Sequence, residues 1–218
     1  MPVLQTGLAK SAAEDYTIDQ SLRFNDGDSA YLSRTVGTAT SNRIGTFSWW
    51  QKGYIEDGSD RGAIISNHTD SNNRTYINFS SDQDGKEDLQ MYGKISGSAN
   101  VNLQPSAIFR DPSSWYHFVV AIDVTQGTDT NKVKWYVNGE QLTDMSSTTY
   151  PTDVDLPLFS GSNMYVGATY IASISNYFDG YLAEFYYIDG QQLTPASFGE
   201  TDTATNQWKP IDASDLTF

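Results

Sequence analysis

The sequence predicts an all-β protein, an antiparallel sandwich of the jelly-roll type. Three observations carry that prediction. Apolar and polar residues alternate with a period of two through many short runs, Gly, Asn and Asp recur between the runs, and helix signals are nearly absent. Aromatics make up 13% of the chain, a proportion that suits pleated, half-buried surfaces. At 218 residues, one domain is enough to bury a core.

Residues 1–20 are small and polar with little periodicity and read as an arm or docking segment. The sandwich is expected over 21–210, and 211–218 reads as a tail or the start of a truncated segment. SLRF (21–24) and AYLSR (30–34) flank Asn25-Asp-Gly-Asp28, which reads as a hairpin. TFSWWQKG (46–53), GAIISN (62–67), TYINFSS (75–81) and DLQMYGKI (88–95) follow as strands at regular spacing. SWYHFVVAIDV (114–124) is apolar on both faces, as expected of a strand between two packed layers. KVKWYV (132–137) places Val133, Trp135 and Val137 on one face and Lys132 and Lys134 on the other. It turns at Asn138-Gly139, a pair suited to positive φ at both central positions. NMYVGATY (163–170) and GYLAEFYYID (180–189) complete the strands. The only helix signal is LTPASFGE: Thr194 caps, Pro195 takes the first position and Gly199 ends a single turn near 194–199.

Composition excludes several functions. A net charge of −14 opposes nucleic acid and anionic membrane surfaces as partners. With no cysteine there is no disulfide, thiolate metal site or cysteine nucleophile. No basic leader followed by a long apolar run opens the chain, and no stretch is apolar enough to insert in a bilayer, so synthesis in a cytoplasm is expected.

The order SLRFNDGDSAYLSR, SWYHFVVAIDVT, KVKWYVNGEQLT, YVGA, YFDGYLAEFYYIDGQQLTPASFGE and WKP resembles the concanavalin A-like lectin/glucanase superfamily. The resemblance runs from about Ser21 to Pro210 and is nearest to laminin-G-like domains of tailed-phage virion and fibre proteins. It implies a jelly-roll sandwich of two curved sheets, with roles in carbohydrate binding, virion architecture or glycan cleavage. One scaffold hosts all three, so function must be argued from residues.

Retaining glucanases of this superfamily carry E-x-D-x-x-E, whose alternation places a nucleophile and a general acid about 5 Å apart on one strand face. Glu184 lacks that partner: Phe185, Tyr186, Tyr187 and Ile188 follow, and the next acid is Asp189 in a turn. Glu200-Thr-Asp202 begins correctly but has no second glutamate. The chain is therefore read as non-enzymatic. His117 reads as a hydrogen-bonded core histidine, and His68 as an exposed residue of a polar loop. No cofactor is implied. Calcium is the one ion the loops could carry, through Asp82, Asp84 and Asp88 or Asp26 and Asp28, although Asp and Gly also favour such turns for backbone reasons.

Glycan binding needs aromatic rings with hydroxyl-gripping groups beside them. Tyr54, Asp57, Asp60 and Arg61 in one loop, with Asn72, Arg74 and Tyr76 in the next segment, are the candidates, brought together on one rim. The expectation is a surface protein of a tailed-phage virion, as capsid decoration, knob or fibre module. Its partners would be other virion subunits, host-surface glycans and, as an option, further copies of itself. The alternatives are a free lectin domain and, as a third reading, a glycoside hydrolase.

Overall fold

A computed structural model describes residues 16–53, 62–81, 87–109, 111–160 and 163–216, with the backbone alone at 80–81 and 87–88. In chain order the strands begin with β1 (Leu22–Phe24), β2 (Leu32–Thr35), β3 (Ile44–Lys52), β4 (Ala63–Asp70), β5 (Asn73–Ser81) and β6 (Glu87–Ile95). Next come β7 (Ser98–Pro105), β8 (Tyr116–Asp123), β9 (Val133–Val137), β10 (Glu140–Leu142), β11 (Met145–Thr149) and β12 (Asn163–Val166). The last are β13 (Thr169–Tyr170), β14 (Ile174–Ser175), β15 (Gly180–Asp189), β16 (Gly199–Thr201) and β17 (Trp208–Pro210).

Two antiparallel sheets form the sandwich. One runs β1-β15-β3-β8-β9-β10, the other β11-β7-β6-β5-β4-β12-β2. Alternation along each strand sends one residue in two to the shared core. Phe47, Trp49, Phe118, Val120 and Trp135 from the first sheet meet Ile65, Ile77, Phe79, Met91 and Leu103 from the second. Trp49 stacks on Phe118 at 5.4 Å and Phe47 on Tyr187 at 4.8 Å. Phe47, Trp49 and Phe118 are fully buried, and each such ring stabilises the fold by about 1.5–3 kcal/mol.

The six-stranded sheet is covered on its outer face too. Val119 and Ile188 point away from the main core, yet they are buried beneath Phe198 and Ala213, with Leu193 and Leu216 packed alongside. The C-terminal segment thus lies across this sheet as a strap, including the single turn Pro195–Ser197 and the β16–β17 hairpin. That cover explains why the β8 sequence is apolar on both faces.

Several local expectations are corrected. Leu22–Phe24 and Leu32–Thr35 do not form a hairpin: β1 pairs with β15 in one sheet and β2 with β12 in the other. A single 3₁₀ turn at Asp26–Asp28 and Ser29 at φ 56° carry the chain across the edge of the sandwich. Asn25-Asp-Gly is turn chemistry, but it serves a crossing between layers. The run 163–170 is broken at Gly167, where φ is +83° and any Cβ would strike the Phe24 ring at 2.5 Å. Its second half pairs with β14 as a separate hairpin. β7, β11 and β17 went unread because their sequences are mostly polar. Further single turns sit at Asp129–Lys132 and Pro157–Phe159.

Asn138 and Gly139 do adopt positive φ, +47° and +85°, joining β9 to β10. Val133 and Trp135 are buried while Lys134 lies on the opposite face, as the alternation requires.

Candidate functional site

The outer face of the seven-stranded sheet collects polar and aromatic groups from five strands. Register places Tyr165 opposite Ser66, Ser66 opposite Tyr76, Tyr76 opposite Tyr92 and Tyr92 opposite Asn102. One row along, His68 faces Arg74 and Arg74 faces Lys94. One row the other way, Asn78 faces Gln90, whose amide donates to Asn102 Oδ1 at 2.9 Å. Tyr76 and Tyr92 stack with ring centroids 5.3 Å apart. His68 stacks on Tyr170 at 3.9 Å, and Tyr170 on Tyr165 at 5.7 Å. Tyr31, 39% exposed, extends the aromatic strip at its edge.

Three polar atoms on this face are shielded and have no hydrogen-bond partner among the described residues: His68 Nδ1, Arg74 Nε and Asn78 Oδ1. Shielded polar atoms are nearly always paired, so each exception calls for an explanation. The Arg74 guanidinium is anchored through Nη1 to the Ser71 carbonyl, while its Nε has no partner among the described residues. Burial lowers the pKa of His68, partly offset by the charge of Asp70, so the ring is neutral at pH 7. Asp70 is held below its ordinary value by the Asn73 side chain and by the Asn72 and Asn73 backbone N–H groups.

The sequence candidates divide three ways. Tyr54, Asp57, Asp60 and Arg61 lie outside the described residues, as do Asp82, Asp84 and the side chain of Asp88. Arg74 and Tyr76 share the outer face of β5 rather than a loop rim, and Tyr76 is only 7% exposed beside Tyr92. Asn72 sits at the end of that face in the turn between β4 and β5, where its N–H donates to Asp70 and its carbonyl accepts from Gly97. His68 is half-buried in β4 and stacked, not exposed in a loop. Sequence reading missed Tyr92, Lys94, Tyr165 and Tyr170. Pairing TYINFSS with DLQMYGKI in antiparallel register would have brought Tyr92 and Lys94 beside Tyr76 and Arg74.

Asp26 and Asp28 serve their turn: Asp26 accepts from the Gly27 N–H and Asp28 from the Asn25 amide. Among the described residues no group of three or more His, Asp and Glu side chains is placed to hold a metal ion.

Glu184 occupies a bulge in β15, at φ +47°, where the register with β3 shifts between Ala183 and Tyr186. Its Oε1 accepts from the Tyr16 hydroxyl at 2.8 Å and its Oε2 from the Tyr186 hydroxyl. Both oxygens are engaged: Oε1 ties residue 16 to the sheet and Oε2 holds Tyr186 of the same strand. Burial and Glu184 together raise the Tyr16 pKa to about 12, and the same causes raise that of Tyr186.

His117 is buried at 1% exposure between Trp50, stacked at 4.9 Å, and Trp208, stacked at 5.9 Å. The Trp208 indole N–H can only donate, and it lies 2.9 Å from Nδ1. The ring proton therefore sits on Nε2, which donates to Ser48 Oγ at 2.8 Å. Burial pushes the His117 pKa down to about 3. With both nitrogens used and no carboxylate partner among the described residues, this histidine fastens the strap to the sheet and offers no free base for catalysis.

A family profile described as concanavalin A-like lectin/glucanases superfamily, of the laminin G type, matches residues 25–197. The chain belongs to that superfamily. Among solved structures it resembles tailspike protein 2 of the Escherichia coli O157:H7 bacteriophage CAB120, at 13% identity and TM-score 0.56, over 82% of this chain and 23% of that one. It also resembles NanB sialidase of Streptococcus pneumoniae, at 12% identity and TM-score 0.55, over 84% and 28% of the two chains. A heptameric SAP-like pentraxin from Limulus polyphemus matches at 17% identity and TM-score 0.50, over 83% and 75%. These likenesses are likenesses of fold. The chain spans only about a quarter of the length of the tailspike and of the sialidase. No curated protein matches the sequence.

Proposed function

We propose that this domain is a non-enzymatic surface module of a tailed-phage virion that binds host glycans across the outer face of its seven-stranded sheet. One observation carries the glycan reading: His68 Nδ1, Arg74 Nε and Asn78 Oδ1 stand shielded and unpartnered on a face that also presents Tyr92 and Tyr170. Sugar hydroxyls both donate and accept, so they can satisfy the arginine donor and the two acceptor-capable groups together while a ring lies on a tyrosine. The lectin-type fold supports the reading, and the tailspike that shares it supports the virion address. Engagement of Glu184 by two phenols supports a binding role over a hydrolytic one. Many copies on a particle would turn weak single-site affinity into avidity.

The test is a glycan array with the full chain, followed by titration of the best hit. Arg74→Ala and Tyr92→Ala should each weaken binding by about tenfold or more. A silent array, or a hit indifferent to both substitutions, would remove this face as the site. Electron microscopy of an intact particle, with the domain located on its surface, tests the virion address separately.

A further inference from the structure

A cavity lies on the outer face of the six-stranded sheet. Trp50 sits in β3 between Ala183 of β15 and His117 of β8, with its side chain on the outer face, because its neighbour Trp49 fills the core. Trp115 precedes β8 by one residue and, by alternation, shares the face of His117. Residues 18–21 and Pro210 of the strap approach from two sides and leave a cavity of about 290 Å³.

We propose that this cavity is a separate binding site for a single neutral pyranose ring. Its volume lies at the lower end of the range for small-ligand clefts, so it admits one ring and not an extended chain. Indoles of Trp50 and Trp115 supply apolar walls. Trp115 is 38% exposed, and an indole left that open beside a cavity gains contact area when a ring fills it. The floor is Ala183, whose single methyl leaves the space that any larger residue at that register position would fill.

The polar groups at the cavity suit hydroxyls of either sense. Asp19 accepts only, while Gln20 and Ser21 can both donate and accept. Among the described residues no Lys, Arg or His lines the cavity, and the chain carries a net charge of −14, so acidic sugars are disfavoured. A cation seated on the two indoles would use Asp19 but leave the amide and hydroxyl unused, which favours the neutral polyol. This site stands on its own observations and does not depend on the opposite face.

The experiment follows the indole N–H resonances of the full chain, five in number, during titration with methyl pyranosides of glucose, galactose and N-acetylglucosamine. Choline and sialic acid serve as comparators. At least one neutral pyranoside should shift the Trp115 and Trp50 resonances saturably at millimolar concentration while the Trp135 resonance stays in place. Ala183→Leu and Trp115→Ala should each weaken that binding by at least about tenfold. Trp115 is partly exposed, so its variant keeps the test valid if Ala183→Leu fails to fold. Arg74→Ala should leave it unchanged, which separates failure here from failure of the other face. The proposal is overturned if no neutral pyranoside gives a saturable shift, if only choline or sialic acid does, or if Trp115→Ala binds as the wild type does.

Discussion

Replacing His117 with glutamine should flatten the dependence of stability on pH between 6.5 and 4.5. In the folded chain this imidazole is neutral, because burial lowers its pKa from the ordinary 6.5 to about 3. Between those values the unfolded chain binds a proton that the folded chain does not, so stability rises with pH across the window. The contribution is fully present above 6.5 and is lost as pH falls toward 3. Each pH unit inside the window is worth about 1.4 kcal/mol, so moving to pH 4.5 removes on the order of 3 kcal/mol through this residue alone. Among the described residues the ring contacts Trp50, Trp208, Ser48 and Phe198, none of which carries a charge. Asp111 and Asp202, held by hydrogen bonds to about 2, titrate below the window and do not obscure it. The assay is urea unfolding at several pH values for the wild type and His117→Gln. The variant should be less stable at pH 7, by about 1–3 kcal/mol, from imperfect replacement of two buried hydrogen bonds. The difference should shrink or reverse by pH 4.5. Parallel curves for the two proteins would refute a buried, neutral His117 and with it the histidine clasp on the strap.

Other outcomes follow from the same contacts. Gly139→Ala should destabilise the protein by roughly 2–4 kcal/mol in thermal unfolding, since φ is +85° and the added Cβ would lie 2.6 Å from the Trp208 ring. Trp208→Phe should lower stability by about 1–3 kcal/mol, because it leaves His117 Nδ1 buried without a donor; an unchanged unfolding midpoint counts against that bond. Glu184→Gln should lower the Tyr16 pKa from about 12 toward 10, read as phenolate absorbance during alkaline titration, because it removes the negative charge beside the hydroxyl. Tyr186 should move the same way.

Particular residues show how much of the site was legible. Asn138-Gly139 announced its turn because positive φ at two successive positions is a local requirement. His117 was readable as a core residue, since it sits in a run apolar on both sides. Arg74 was read as part of a loop rim and lies instead within a strand, because the turn residues at 70–73 obscured the strand that begins at Asn73. Tyr165 and Tyr170 were unreadable as partners of His68: nearly a hundred residues separate them, and only sheet pairing places them within stacking distance.

By itself the sequence determined the class of fold, the positions of most strands and the chemistry of the tight turn after β9. Those properties depend on backbone preferences and side-chain alternation over a few residues. Tertiary structure alone decided that β1 and β2 separate into different sheets and that the C-terminal strap covers Val119. It alone decided that Trp208 supplies the proton for His117 Nδ1, and that the segment before β1 walls a cavity against Trp50 and Trp115. The reason is physical: which distant segment covers a given apolar face depends on burial summed over the whole chain, and no local window of residues contains that sum.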